Sequence, residues 1–211
     1  TYSFLPYGRN APELAETVRL SGGEVMLHLP MEPAGNEDPG PHALKSSMTG
    51  AEFIRSLEWN LDRFDGYAGV NNHMGSKLTA DIAAMKTLIG YLNHRDLFFV
   101  DSVTTSQTTV RRAGRELGLE VFARDVFLDA EAGSESAVRA QLALAERIAR
   151  ETGYVVAIGH PREETLKVLG PWLTTAPARG FDLVVASTLR RIGDEEKPQA
   201  VAAAAPPTLR F

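Results

Sequence analysis

The chain contains no cysteine. That excludes disulfides, thiolate metal sites and cysteine nucleophiles, and it leaves the compartment open, since a cysteine-free chain suits cytoplasm and periplasm equally. Long hydrophobic runs are missing too: no apolar stretch approaches the ~20 residues that span a bilayer. Positive charge is in deficit, with 22 Lys and Arg against 27 Asp and Glu, a net charge of −5 and no Lys/Arg-rich run. Nucleic acid and anionic membrane surfaces are therefore not expected partners. No G-x-S-x-G elbow, Walker A loop or dinucleotide fingerprint occurs.

What is present suits one medium-sized globular domain: 211 residues, 44% apolar and 23% charged. Apolar runs at 1–5, 24–29, 67–70, 97–100, 120–123, 154–158 and 182–186 read as strands. They alternate with helical patterns near 10–20, 50–63, 79–94, 107–117, 134–151 and 162–175. Thr49 with Glu52 reads as a capping box, Ser134 as a helix start, and the glycines at 22–23, 118 and 153 as helix ends. Strict alternation predicts an α/β fold with a mainly parallel sheet whose strands are buried on both faces. Six or seven such units suit a (β/α) barrel or a doubly wound sheet. The barrel is preferred because candidate site residues follow many different strands. Residues 1–190 read as a single domain, and the low-complexity stretch 191–211, which includes QAVAAAAPP, as a tail. Thr1 to Pro6 begins as a strand in progress without an initiator Met, so a targeting segment and a first strand are expected upstream.

Three of the five histidines end apolar runs: EVMLHLPMEP (24–33), YAGVNNHMGS (67–76) and YVVAIGHP (154–161). Strand ends on one sheet edge bring distant loops into one crevice. Pro30 turns the chain out of its strand, so His28 and Glu32 can converge as nitrogen and oxygen ligands for a divalent ion. The alternative is a buried His28 satisfied by backbone beside a solvated Glu32. The Asn71–Ser76 run lines a pocket, with Asn72 facing an amide or hydroxyl, or else forms a capped turn opened by Ser76 or Thr79. Asp101 and Ser102 follow LFFV. The carboxylate there orients a histidine, acts as a base, or caps the loop SVTTSQTT. Arg124 and Asp125 follow EVFA, with Asp129 four residues on, and read either as an ion pair or as a carboxylate-holding guanidinium beside an acid. His160 is placed as a general acid or base, or as the N-cap of a helix with Pro161 at its first position. The Pro/Gly-rich segment 33–48 reads as a lid. His42 and His94 look ordinary, and Trp172 and Tyr67 look like core residues.

HLPMEP, GVNNHMGS, FFVDS, ARDVFLD and AIGHP, in this order and spacing, resemble the divergent polysaccharide deacetylase family, from about Phe4 to Ser187. That family is similar to the NodB-type carbohydrate esterases. The resemblance implies a distorted or incomplete (β/α) barrel of the glycoside hydrolase and deacetylase type. It also implies a divalent metal, zinc above all, and removal of acetyl groups from a polysaccharide or cell-envelope glycan. His28 matches the first ligand histidine, Glu32 stands where a second histidine is usual, and His73 supplies the missing nitrogen. His160 matches the late-strand acid. The family's Asp pair is expected upstream of Thr1, with Asp125 as the base in its absence, and Asp101 is a further catalytic candidate. Asn72, Ser102 and Arg124 are the expected substrate contacts. A periplasmic or secreted location follows from the resemblance alone. The rival expectation is a non-catalytic carbohydrate-binding or envelope-assembly protein on the same scaffold.

Overall fold

A computed structural model describes residues 1–196, with side chains described through Ile192. Two compact units are present, Thr1–Ala123 and a second beginning at Arg124, within the stretch read from sequence as one domain. The first contains β1 (Tyr2–Phe4), α1 (Ala11–Leu20), β2 (Val25–Met31), α2 (Gly50–Leu61), β3 (Gly69–Met74), α3 (Ile82–His94), β4 (Phe98–Asp101), α4 (Val110–Leu117) and β5 (Phe122–Ala123). Its strands form a parallel sheet in the order β1-β2-β3-β4-β5. The second contains β6 (Val126–Phe127), α5 (Glu135–Thr152), β7 (Ala157–Ile158), α6 (Glu163–Thr175) and α7 (Thr188–Glu196), with β6 and β7 paired in parallel. The fold is α/β with parallel strands, of the incomplete-barrel type; among the described residues the strands fall into two sheets rather than one closed ring.

Helix boundaries follow local chemistry. Thr49 and Glu52 form the capping box of α2, each side chain accepting from the other's backbone N–H. Ser134 accepts from the Ala137 N–H to start α5, and Gly118 and Gly153 end α4 and α5 in the left-handed region. The start of α3 differs from the helix expected over 79–94. A 3-10 turn covers Leu78–Ala80, and Asp81 caps α3 by accepting from Ala83 and Ala84. Helix α6 begins at Glu163 with Arg162 as N-cap, so Pro161 is not its first residue and His160 is not its cap.

Strand β2 is buried along its whole length except at His28, as a central parallel strand covered on both faces must be. Leu27, Leu29, Leu57, Val70, Leu88 and Phe99 build the core of the first unit, and Val126, Val138, Leu142, Ala145 and Val168 that of the second. Gly69 is required by close approach, since a Cβ there would lie 2.8 Å from the Phe98 carbonyl oxygen. The expected strand at 182–186 is corrected: 181–185 has no regular structure, and Leu183 and Val185 are exposed, so this run lacks the ladder that would bury it. Strand β6 falls inside ARDVFLD, where no strand was expected. Helix α7 runs past residue 190 into the stretch read as a tail, and residues 197–211 of that tail lie outside the described residues. No described helix is long and apolar enough to cross a membrane.

The segment 33–48 is strapped down at its far end. Leu44 bridges Met31, donates to the Pro30 carbonyl and accepts from the Glu32 N–H. His42 stacks on Trp59 at 3.8 Å, and its carbonyl accepts from Asn60.

Candidate functional site

The sheet register builds the site in the first unit. His28 of β2 pairs with Asn71 of β3, and His73 lies two residues beyond Asn71. Alternate residues of a strand share a face, so Asn71 and His73 lie together and Asn72 points the other way. The His73 Nδ1 is 3.3 Å from the His28 Nε2, with the rings edge to face at 5.0 Å. The His28 Nδ1 is 3.1 Å from the Asn71 Oδ1, and the Asn71 Nδ2 reaches the Ser102 Oγ at 3.3 Å. Sequence reasoning named Asn72 and passed over Asn71; the period-two rule was the signal that separates them.

Asn72 is buried and committed to its own scaffold. Its Oδ1 accepts from the Ser102 N–H at 2.7 Å, and its Nδ2 donates to the Met74 carbonyl at 2.8 Å. The amide joins the end of β3 to the loop after β4. Asp101 is likewise buried, with Oδ1 accepting from the Val103 N–H and Oδ2 from the Thr108 hydroxyl. These bonds fit the alternative in which Asp101 caps the loop that follows it. Ser102 braces rather than projects, its hydroxyl donating to the Asn72 carbonyl at 2.8 Å.

Glu32 does not join the histidines. Its Oε2 accepts from both the Ser46 N–H and hydroxyl, and its Oε1 pairs with Lys77 at 2.7 Å. Burial raises its carboxyl, but hydrogen bonds from Lys77 and Ser46, with the Lys77 charge, outweigh this and hold it at about 2. In this arrangement the Glu32 carboxylate ties the 33–48 segment to the turn after β3. Among the described residues no group of three or more His, Cys, Asp or Glu is arranged to hold a metal ion. The histidine pair nevertheless fits two positions of one. Nitrogens about 2.0–2.1 Å from a tetrahedral zinc stand about 3.3–3.4 Å apart, the separation found between His28 and His73.

Backbone strain marks the same place. Met74, the last residue of β3, and Val103, in the loop that follows β4, have φ of +54° and +50°. For a β-branched residue such as Val103 this region is an outlier, and such residues cluster at functional sites.

The second unit has its own cluster. Asp129, with a side chain 0% exposed, accepts from the His160 backbone N–H at 3.1 Å and lies 3.1 Å from the His160 Nδ1. The Arg162 Nε is 3.5 Å from the same carboxylate, and Phe127 meets the imidazole edge to face. The His160 ring is 46% exposed, so the carboxylate holds one nitrogen and the other is presented outward. Asp125 is exposed and accepts from the Val156 N–H, fastening β6 to the β7 segment. Arg124 lies over the Phe127 ring at 5.2 Å. The acid in contact with His160 is thus Asp129, which the sequence reading noted only in passing.

Fold and motifs together define a deacetylase-type α/β protein. Residues 1–190 match the divergent polysaccharide deacetylase family, and the chain belongs to it. It is 36% identical over 185 residues to the uncharacterized protein YibQ of Escherichia coli (strain K12), covering 88% of this chain and 57% of that protein. A second relative, an uncharacterized protein of Haemophilus influenzae, is 33% identical over 175 residues, covering 82% of this chain and 60% of its own length. The chain therefore spans less than two thirds of the curated relatives it matches. Among solved structures it resembles the uncharacterized protein ATU2773 from Agrobacterium tumefaciens C58, with a TM-score of 0.85 at 26% identity over 89% of this chain and 76% of that one.

Proposed function

We propose that the protein is a metal-dependent hydrolase that removes acetyl groups from a polysaccharide or cell-envelope glycan in the periplasm or outside the cell. The observation that carries this reading is the His28–His73 pair, two imidazole nitrogens facing each other at a zinc-like spacing. Family membership supports the acyl chemistry and the glycan substrate class. His28 and His73 are the residues that would hold the ion. The chemistry such an ion supplies is polarisation of an acyl carbonyl and acidification of water. Asp125, in the second unit, is assigned as a general base in the absence of another acid. His160, in the same second unit and with one nitrogen held by Asp129, is assigned as a general acid.

A second reading, a carbohydrate-binding or envelope-assembly protein without turnover, is favoured by one observation. Glu32, Asn72 and Asp101 are all engaged in holding loops, leaving two converging ligands among the described residues where catalytic zinc sites have three.

Elemental analysis after zinc loading separates the two. About one zinc per chain is expected, lost in both His28→Ala and His73→Ala. His160→Ala is expected to keep the zinc and to lower release of acetate from acetylated glycans about 10²–10⁴-fold. A chain that takes up no zinc under any loading, yet binds glycan, would sink the hydrolase and leave the binding protein.

A further inference from the structure

We propose that Asn71 is a positioning residue that locks His28 in its Nδ1–H tautomer, through a chain of hydrogen bonds with only one consistent arrangement of protons. The chain starts at the Asn72 carbonyl, which can only accept, 2.8 Å from the Ser102 Oγ. The single hydroxyl hydrogen of Ser102 goes there. With that hydrogen spent, Ser102 accepts from the group 3.3 Å away on Asn71, which makes that group the amide nitrogen. The Asn71 oxygen then faces the His28 Nδ1 at 3.1 Å. A carbonyl oxygen has no hydrogen to give, so Nδ1 carries the proton. In the neutral ring Nε2 is left with its lone pair, aimed at the His73 Nδ1 at 3.3 Å.

Along these contacts each assignment follows from the one before it, starting from a carbonyl that can only accept. Asn71 is 5% exposed, which leaves little water to compete with the arrangement. The terminal lone pair is what a cation needs, and outer partners of ligating histidines fix the ring and its tautomer in this way. The consequence for metal affinity rests on the hydrolase reading given above; the tautomer does not.

The test uses the 211-residue chain without metal. Nitrogen-15 NMR of the imidazoles is expected to show His28 protonated at Nδ1 and bare at Nε2. Asn71→Leu, similar in size but without an acceptor, should shift His28 to the Nε2–H form or a mixture. Asn71→Asp, which keeps the oxygen, should restore Nδ1–H. In zinc titrations Asn71→Leu should weaken binding about 10- to 100-fold and Asn71→Asp should recover it. A wild-type His28 protonated at Nε2 overturns the inference without any variant, as does an unchanged tautomer in folded Asn71→Leu. If zinc binds to no form while His28 is Nδ1–H, the inference stands and the hydrolase reading falls.

Discussion

A carboxylate that accepts three hydrogen bonds, as Glu32 does from Ser46 and Lys77, resists protonation. Its folded value of about 2 lies below the ordinary 4.5, so its contribution to stability is complete above about pH 4.5 and disappears as pH falls to about 2. Glu32→Gln is expected to cost about 1–2 kcal/mol near neutral pH, the exposed Lys77 keeping the figure modest. Denaturation at a series of pH values should show the gap between wild type and variant closing between pH 4.5 and 2. Zinc content should not change, since the carboxylate faces Ser46 and Lys77 rather than the histidines. Individual residues were legible in the sequence by type and only partly by role. His28, His73 and His160 were identifiable because histidines at strand ends are conspicuous. The loop-holding bonds of Glu32, Asn72 and Asp101 were not legible, because nothing in the sequence shows where a loop spends its hydrogen bonds. Asp129 was hidden by Asp125, four residues earlier and equally acidic.

Helices were the most readable elements, because Thr49, Ser134, Gly118 and Gly153 supply caps whose chemistry is local. Strands were legible where an apolar run found neighbours on both sides. FDLVVA at 181–186 is as apolar as β4 but forms no strand among the described residues, and pairing of this kind is invisible in one sequence. Loop strain was not legible at all. The loop after β4 holds Val103 at a φ of +50° through the buried Asp101 carboxylate. Glycine adopts that conformation without a Cβ clash, so Val103→Gly is expected to raise stability by up to about 1 kcal/mol, seen as a higher melting temperature. If the loop geometry serves zinc binding, the affinity should be retained, because the backbone path is unchanged. A lower melting temperature would mean that packing of the valine outweighs its strain.

At the scale of the whole molecule, the described residues form two hydrophobic cores, one in the unit ending at Ala123 and one beyond it. Leu142→Ala, at a buried position of the second core, is expected to cost about 2–5 kcal/mol. Hydrogen exchange should locate the loss in α5 and α6, with the amides of β2 and β3 keeping their protection. Equal loss in both would mean that the cores open together. Strand–helix alternation continues across residue 123, so the sequence pattern carries no sign of this division. One more property belongs to the chain as a whole and concerns how it folds. Strand β2 is apolar on both faces, so hydrophobic patterning cannot tell it which residue of β3 to align with; a slip by one position would still bury Val, Met and Leu. The contact from His28 to Asn71 and on to Ser102 is possible in one alignment only. The polar side chains gathered for ligand chemistry thus also act as the sheet's alignment key, and a sequence that discards them for apolar residues loses its guard against misthreaded strands along with its site.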